Sequence, residues 1–203
     1  MRSFYFLIIA LLLISCKNEA LKTAVPNPEP QIGLITERAM VVSAREEASQ
    51  IGSDIMQKGG NAFDAMVATE MALALTYPTA GNLGGGGFIV YRTQSGEIGS
   101  FDFREKAPLQ ATKDMYLDTE GVFIKEKSKV GGLAVGVPGT IAGIFAVHQK
   151  LGTLPIKEIL KPVIDLAQRG YVVTEKQAKR LKKYKTTFEE VNKETSLYTR
   201  DYK

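Results

Sequence analysis

Histidine and cysteine each occur once in the 203 residues, as His148 and Cys16. The one histidine falls inside a predicted helix with no partner at ligand spacing. That argues against a metal centre, and against Ser-His-Asp or Cys-His catalysis within the chain. A hydrolase built this way needs another base. A nucleophile at a chain N-terminus, using its own α-amine, meets that need. A lone cysteine excludes an internal disulfide, although an exported domain could use one. No apolar run reaches the ~20 residues of a membrane-spanning helix.

Two glycine-rich stretches lack what nucleotide binding requires. After Gly84-Gly85-Gly86-Gly87 the chain reads Phe88-Ile89, where a phosphate loop of the Walker type needs Lys and then Ser or Thr. That run also joins a helix to a strand, the reverse of a dinucleotide fingerprint. The second run, with Gly136, Gly139 and Gly143, opens a helix, but no strand ending in an acidic residue follows it. These glycines offer backbone that a ligand or another strand can approach closely. The charge excess is small, 26 Lys+Arg against 22 Asp+Glu, and gathers at 176–183. No aromatic stacking platform accompanies it, so it reads as a solvated helix face and not as a nucleic-acid site.

The chain opens with one positive residue, Arg2, about a dozen apolar residues, and then Ser15-Cys16. This is the pattern of a secretory signal peptide. Leu13-Ile14-Ser15-Cys16 resembles the lipobox of bacterial lipoproteins, with Cys16 as the lipidated residue. The expectation is an exported, membrane-anchored lipoprotein, in the periplasm or at the cell surface. Residues 17–35, broken by Pro26, Pro28 and Pro30, read as an extended tether. Residues 36–203 are long enough for one domain with a core.

Within that domain the pattern predicts a short strand over 39–42. A capping box at Ser43-Ala44-Arg45-Glu46 then opens a helix that runs to about 58 and stops at Gly59-Gly60. Asn61 caps a second helix, Ala62 to Thr76, apolar nearly all round and therefore buried. Pro78 ends it. A hairpin follows, with strands Phe88-Ile89-Val90-Tyr91 and one ending in Asp102 and Arg104. Alternation sets Phe101 and Phe103 on one face and Asp102 and Arg104 on the other. Loop and edge structure fills 114–123. A third helix spans 141 to about 150, and a fourth starts at Thr153-Leu154-Pro155, broken or kinked at Pro162 and closed by Gly170. A second capping box, Thr174-Glu175-Lys176-Gln177, opens the basic helix. The stretch from 186 onwards carries no clear stop.

Asp102-Phe103-Arg104-Glu105-Lys106-Ala107-Pro108 is the segment around which the rest is arranged. An arginine fixed at a strand end beside glycine-rich backbone suits a two-pronged grip on a carboxylate or phosphate. The alternative is a structural ion pair with Asp102 or Glu105.

Several motifs, in order, resemble the N-terminal part of the γ-glutamyltranspeptidases (glutathione hydrolases). They are Met40-Val41-Val42-Ser43 with Ala48 and Gly52; Gly59-Gly60-Asn61-Ala62-Phe63-Asp64-Ala65; Pro78-Thr79-Ala80-Gly81-Asn82-Leu83 running into Gly84–Gly87 and Phe88; the Asp102–Pro108 segment; and Val135-Gly136-Val137-Pro138-Gly139-Thr140. The resemblance covers about residues 38 to 185. It implies an α/β layered fold, the αββα sandwich of the N-terminal-nucleophile hydrolases, incomplete in this chain. It also implies self-cleavage of a precursor into two subunits. The threonine thereby exposed attacks the γ-glutamyl amide of glutathione and passes the acyl group to water or an acceptor amine.

Arg104 then holds the substrate α-carboxylate, with Asp102 and Glu105 as supports. No cofactor or metal is implied, and no nucleic acid is expected as a partner. The partners are glutathione or another γ-glutamyl compound, a segment bearing the threonine, and a membrane through Cys16. The family nucleophile sits in a Thr-Thr-His context; Thr186-Thr187-Phe188 lacks the histidine and is not assigned. The resemblance leaves the nucleophile outside these residues, so the expectation is a truncated, inactive fragment. The competing reading is a non-catalytic, lipid-anchored module that binds glutamate or γ-glutamyl peptides. A related acylase specificity is a third, which Arg104 argues against.

Overall fold

The computed structural model describes residues 33–81 and 83–193. The predicted signal peptide, Cys16, and the tether up to residue 32 lie outside them. The chain divides after Arg38. Of the first unit, residues 33–38 are described; they are exposed and form no helix or strand.

In the second unit, α1 (Glu46–Gln57) and α2 (Ala62–Thr76) precede a hairpin of β1 (Phe88–Arg92) and β2 (Ile98–Asp102). Two short 3₁₀ turns follow at Lys125–Ser128 and Gly132–Ala134. Then come α3 (Thr140–Leu151), α4 (Ile156–Arg169) and α5 (Glu175–Asn192). The strands pair antiparallel, Phe88 opposite Asp102 and Arg92 opposite Ile98.

α2 is the hub. Its uniform apolarity buries it as expected, because α1, α3 and α4 all pack against it. Ile51, Ile55, Val67, Ile144, Ile159, Val163 and Leu166 form the core with Ala48, Ala68 and Ala72. The small side chains of α2 let these helices come close. Each fully buried Ile or Leu contributes roughly 1.5–3 kcal/mol.

Both ends of the α1–α2 link follow the local code. Gly59 sits at φ +95°. Its N–H bonds to the Met56 carbonyl at 3.1 Å, and that of Gly60 to Ile55 at 3.0 Å, which together make a Schellman stop. The Asn61 side chain accepts from the N–H groups of Phe63 and Asp64, and Asp64 accepts in return from that of Asn61.

Asp64 does more than cap. It is fully buried, and it also takes the Thr153 N–H at 3.0 Å, the Thr153 hydroxyl at 2.6 Å and the Leu154 N–H at 3.4 Å. One carboxylate thus ties the start of α2 to the α3–α4 connection. Burial pushes its pKa up. The hydrogen bonds from Thr153, Asn61 and Leu154 outweigh that, leaving it below the usual carboxylate value.

Four expectations need correction. Residues 39–42 form no strand, because β1 and β2 are the only paired strands among the described residues. Ser43 does not cap α1. It turns back onto its neighbours, donating to the Arg45 carbonyl and pairing with Ser49, while α1 begins at Glu46 with no side-chain cap. The Thr174 box is half formed: Thr174 accepts from the Gln177 N–H, but the Gln177 side chain donates to the Tyr171 hydroxyl instead. Pro162 does not break α4, whose buried face of Ile159, Val163 and Leu166 carries the helix through it.

The hairpin is one-sided. Tyr91 and Phe101 lie over the helices, with Phe63 edge-on to Tyr91 at 5.6 Å. On the opposite face Phe88, Val90 and Ile98 are 63–81 % exposed. Among the described residues no second sheet covers them.

Candidate functional site

The Asp102–Lys106 segment is held from two sides by the two glycine runs. On one side the hairpin ladder extends past the strand ends: the Phe103 N–H bonds to the Gly87 carbonyl at 3.0 Å, and the return bond is 3.4 Å. On the other side Lys106 and Val137 exchange main-chain bonds of 3.1 and 2.8 Å. The start of α3 closes the frame, since the N–H groups of Gly139 and Thr140 both bond to the Gly85 carbonyl, at 2.9 and 3.0 Å.

This closeness explains the glycines better than phosphate binding does. A methyl on Gly86 would stand 2.8 Å from the Glu105 nitrogen, and one on Gly136 3.0 Å from the Glu105 Cβ. On Gly139 it would overlap the Phe103 carbonyl, and on Gly143 the Phe103 ring. The approaching backbone anticipated from sequence is the Phe103–Glu105 segment itself. The spacing of Gly136, Gly139 and Gly143 was visible in the sequence, but only the fold shows what they admit.

Phe103 faces inward and Arg104 outward, as alternation requires. The Asp102 carboxylate accepts the Arg104 main-chain N–H at 3.0 Å, which fixes the turn. The guanidinium uses its Nε on Glu105, at 3.3 Å. Its Cζ lies 5.5 Å from the Phe88 ring centre. The two terminal nitrogens have no partner among the described residues, and the side chain is 62 % exposed. Glu105 lies below its usual pKa, held there first by its own main-chain N–H and then by Arg104. Arg104 therefore makes an exposed, solvent-screened ion pair and still presents an open fork. The pairing with Glu105 engages one edge of the guanidinium and leaves the other edge without a partner among the described residues.

The remaining candidates do not join this site. His148 Nε2 is hydrogen-bonded to the Leu154 carbonyl at 2.8 Å. No group of three or more potential metal ligands occurs among the described residues. Thr186 and Thr187 lie inside α5. A groove of about 640 Å³ between α2, α4 and α5 includes Leu83 and Gly84 but not Arg104.

The family described as Gamma-glutamyltranspeptidase matches residues 48–203. A glutathione hydrolase proenzyme of Escherichia coli is 43 % identical over 185 residues, covering 87 % of this chain and 32 % of the relative. One from Pseudomonas sp. is 49 % identical over 137 residues, covering 68 % of this chain and 24 % of its own length. The crystal structure of Helicobacter pylori γ-glutamyltranspeptidase superposes with a TM-score of 0.75 at 44 % identity, over 78 % of this chain and 46 % of that one. The chain spans about a third or less of the length of these curated relatives.

Proposed function

The chain belongs to the γ-glutamyltranspeptidase family of enzymes, and from that premise we propose that its Arg104 hairpin is the carboxylate-holding arm of a γ-glutamyl amide hydrolase and transferase. It carries part of the family's N-terminal-nucleophile hydrolase fold, with α3 packed against β2 and Phe63 of α2 against Tyr91 of β1.

The observation that carries the proposal is the half-used guanidinium. Glu105 takes Nε and Asp102 fixes the backbone, which aims the two terminal nitrogens outward. A free α-carboxylate accepts from both in a planar pair, each bond worth about 1.5–3 kcal/mol once water is displaced. A γ-glutamyl group carries such a carboxylate at a fixed distance from its side-chain amide. Holding it therefore positions the scissile carbonyl. The nucleophile in this reading is the threonine at the N-terminus of the second subunit, and its own α-amine takes the proton. The C–N bond breaks, the amine leaves protonated, and the resulting ester is opened by water or by an acceptor amine.

The test uses the complete gene product and γ-glutamyl-p-nitroanilide. Arg104→Ala should raise KM by at least about tenfold, the loss of one charge-assisted pair. An unchanged KM overturns the role of Arg104, and a folded complete product without turnover overturns the activity. The same reading places the protein outside the cytoplasm, tethered through a lipid on Cys16. Fatty-acid labelling that persists in Cys16→Ser would refute that anchor.

A further inference from the structure

A guanidinium can be held at its Nε edge, at its terminal edge and on its flat faces. At Arg104 the Nε edge belongs to Glu105, and the terminal edge has no partner among the described residues. One face is also taken. The Cζ of Arg104 stands over the ring of Phe88, 5.5 Å from its centre, inside the ~6 Å within which a cation and an aromatic face attract.

The register of the hairpin sets this contact. Phe88 lies directly opposite Asp102, and cross-strand partners share a face. Arg104 is two residues on from Asp102, so it returns to that face. Ring and guanidinium are therefore diagonal neighbours, a spacing that an aromatic and a long side chain span. The ring is the better anchored of the two. Phe88 opens β1, and the residue before it, Gly87, exchanges main-chain bonds with Phe103 at 3.0 and 3.4 Å. Arg104 lies beyond the end of β2, on a long and largely exposed side chain.

Phe88 adds little to the core. It sits on the hairpin face away from the helices and is 63 % exposed, unlike Tyr91 and Phe101 on the other face. Its ring does something that Glu105 cannot. A single hydrogen bond at Nε leaves the guanidinium plane free to swing about that bond. A ring against the flat face stops the swing and uses no N–H donor, so the terminal edge stays free. A carboxylate that accepts from both terminal nitrogens must lie in the guanidinium plane.

We propose that Phe88 is a positioning residue, which sets the plane in which Arg104 receives the substrate α-carboxylate; this rests on the carboxylate-holding role proposed above for Arg104. Phe88 acts through the guanidinium, so its effect falls on binding and not on the chemical step.

The experiment is steady-state kinetics of the complete gene product on γ-glutamyl-p-nitroanilide. Phe88→Leu and Phe88→Met keep the apolar bulk and remove the π face. Each should raise KM about two- to fivefold, the range of an exposed cation–π contact, with kcat unchanged. Phe88→Tyr keeps the face and should keep the parent's KM. In an Arg104→Ala background, Phe88→Leu should change nothing further, because its effect passes through the guanidinium. A parent-like KM in both Phe88→Leu and Phe88→Met overturns the inference. So does a KM for Phe88→Tyr as high as theirs, which would mark a demand of shape alone. An undiminished effect of Phe88→Leu in the Arg104→Ala background also overturns it, since the ring would then act without the arginine. Arg104→Ala separates this inference from the reading beneath it. If Arg104→Ala raises KM while the Phe88 variants do not, the role of Arg104 stands and that of Phe88 falls. If Arg104→Ala leaves KM unchanged, both fall.

Discussion

Replacing Asp64 with alanine tests the central joint of the fold. The carboxylate has no exposed surface and accepts three close bonds, from the Asn61 N–H at 2.9 Å, the Thr153 N–H at 3.0 Å and the Thr153 hydroxyl at 2.6 Å. A hydrogen bond to a charged acceptor contributes about 1.5–3 kcal/mol, so three give roughly 4–9 kcal/mol at face value. Water entering the vacated space answers some of the freed donors. The expected loss is therefore about 3–5 kcal/mol, the range for removing one partner from a buried charged network. A domain stable by about 5–15 kcal/mol loses much of its margin.

The assay is urea unfolding followed by circular dichroism, at pH 7 and at pH 2.5. The pH arm has a defined sign. The folded-state pKa of Asp64 lies below its unfolded value, so its contribution is present above about pH 4 and is lost as pH falls through the folded pKa. The gap between parent and Asp64→Ala should be full at pH 7 and shrink at pH 2.5. A cost under about 1 kcal/mol at pH 7, or a gap that stays constant with pH, would show that the ionised carboxylate does not hold this joint.

Three further outcomes follow from the same geometry. Gly143→Ala, in the interior of α3, would ordinarily gain about 1 kcal/mol of helix propensity; the overlap with the Phe103 ring should reverse the sign to a loss of about 1–3 kcal/mol in urea unfolding. Asn61→Ala should cost about 1–2 kcal/mol, since the side chain caps α2 and also donates to the Leu151 carbonyl at 2.7 Å. Combined with Asp64→Ala it should cost less than the sum of the two, because both sit in one capping box. Arg104→Lys in the complete gene product should keep the charge but lose the fork, raising KM for γ-glutamyl-p-nitroanilide with little change in kcat; a parent-like KM would show that charge alone suffices.

Local rules were legible wherever the chain answers to its own neighbours. Gly59-Gly60 and Asn61 specify their stop and start through backbone geometry and one short side chain, and both form as read. The apolar girth of α2 announced burial, and strand alternation placed Phe103 inward and Arg104 outward. The rules failed where a competing partner, within six residues for Ser43 and Gln177, was stronger. Ser43 found Ser49, Gln177 found Tyr171, and the buried face of α4 carried that helix through Pro162. The sequence by itself determined the helices, the hairpin and the identity of the outward-facing arginine, because those follow from periodicity and capping within a few residues. Only the tertiary structure decided that residues more than thirty positions apart, Gly139 and Gly143 against Phe103, clamp the arginine's strand, and that Glu105 takes one edge of the guanidinium while leaving the other open. Close approach of distant backbone leaves no periodic trace in a chain, and a half-satisfied donor set exists only once its neighbours are in place.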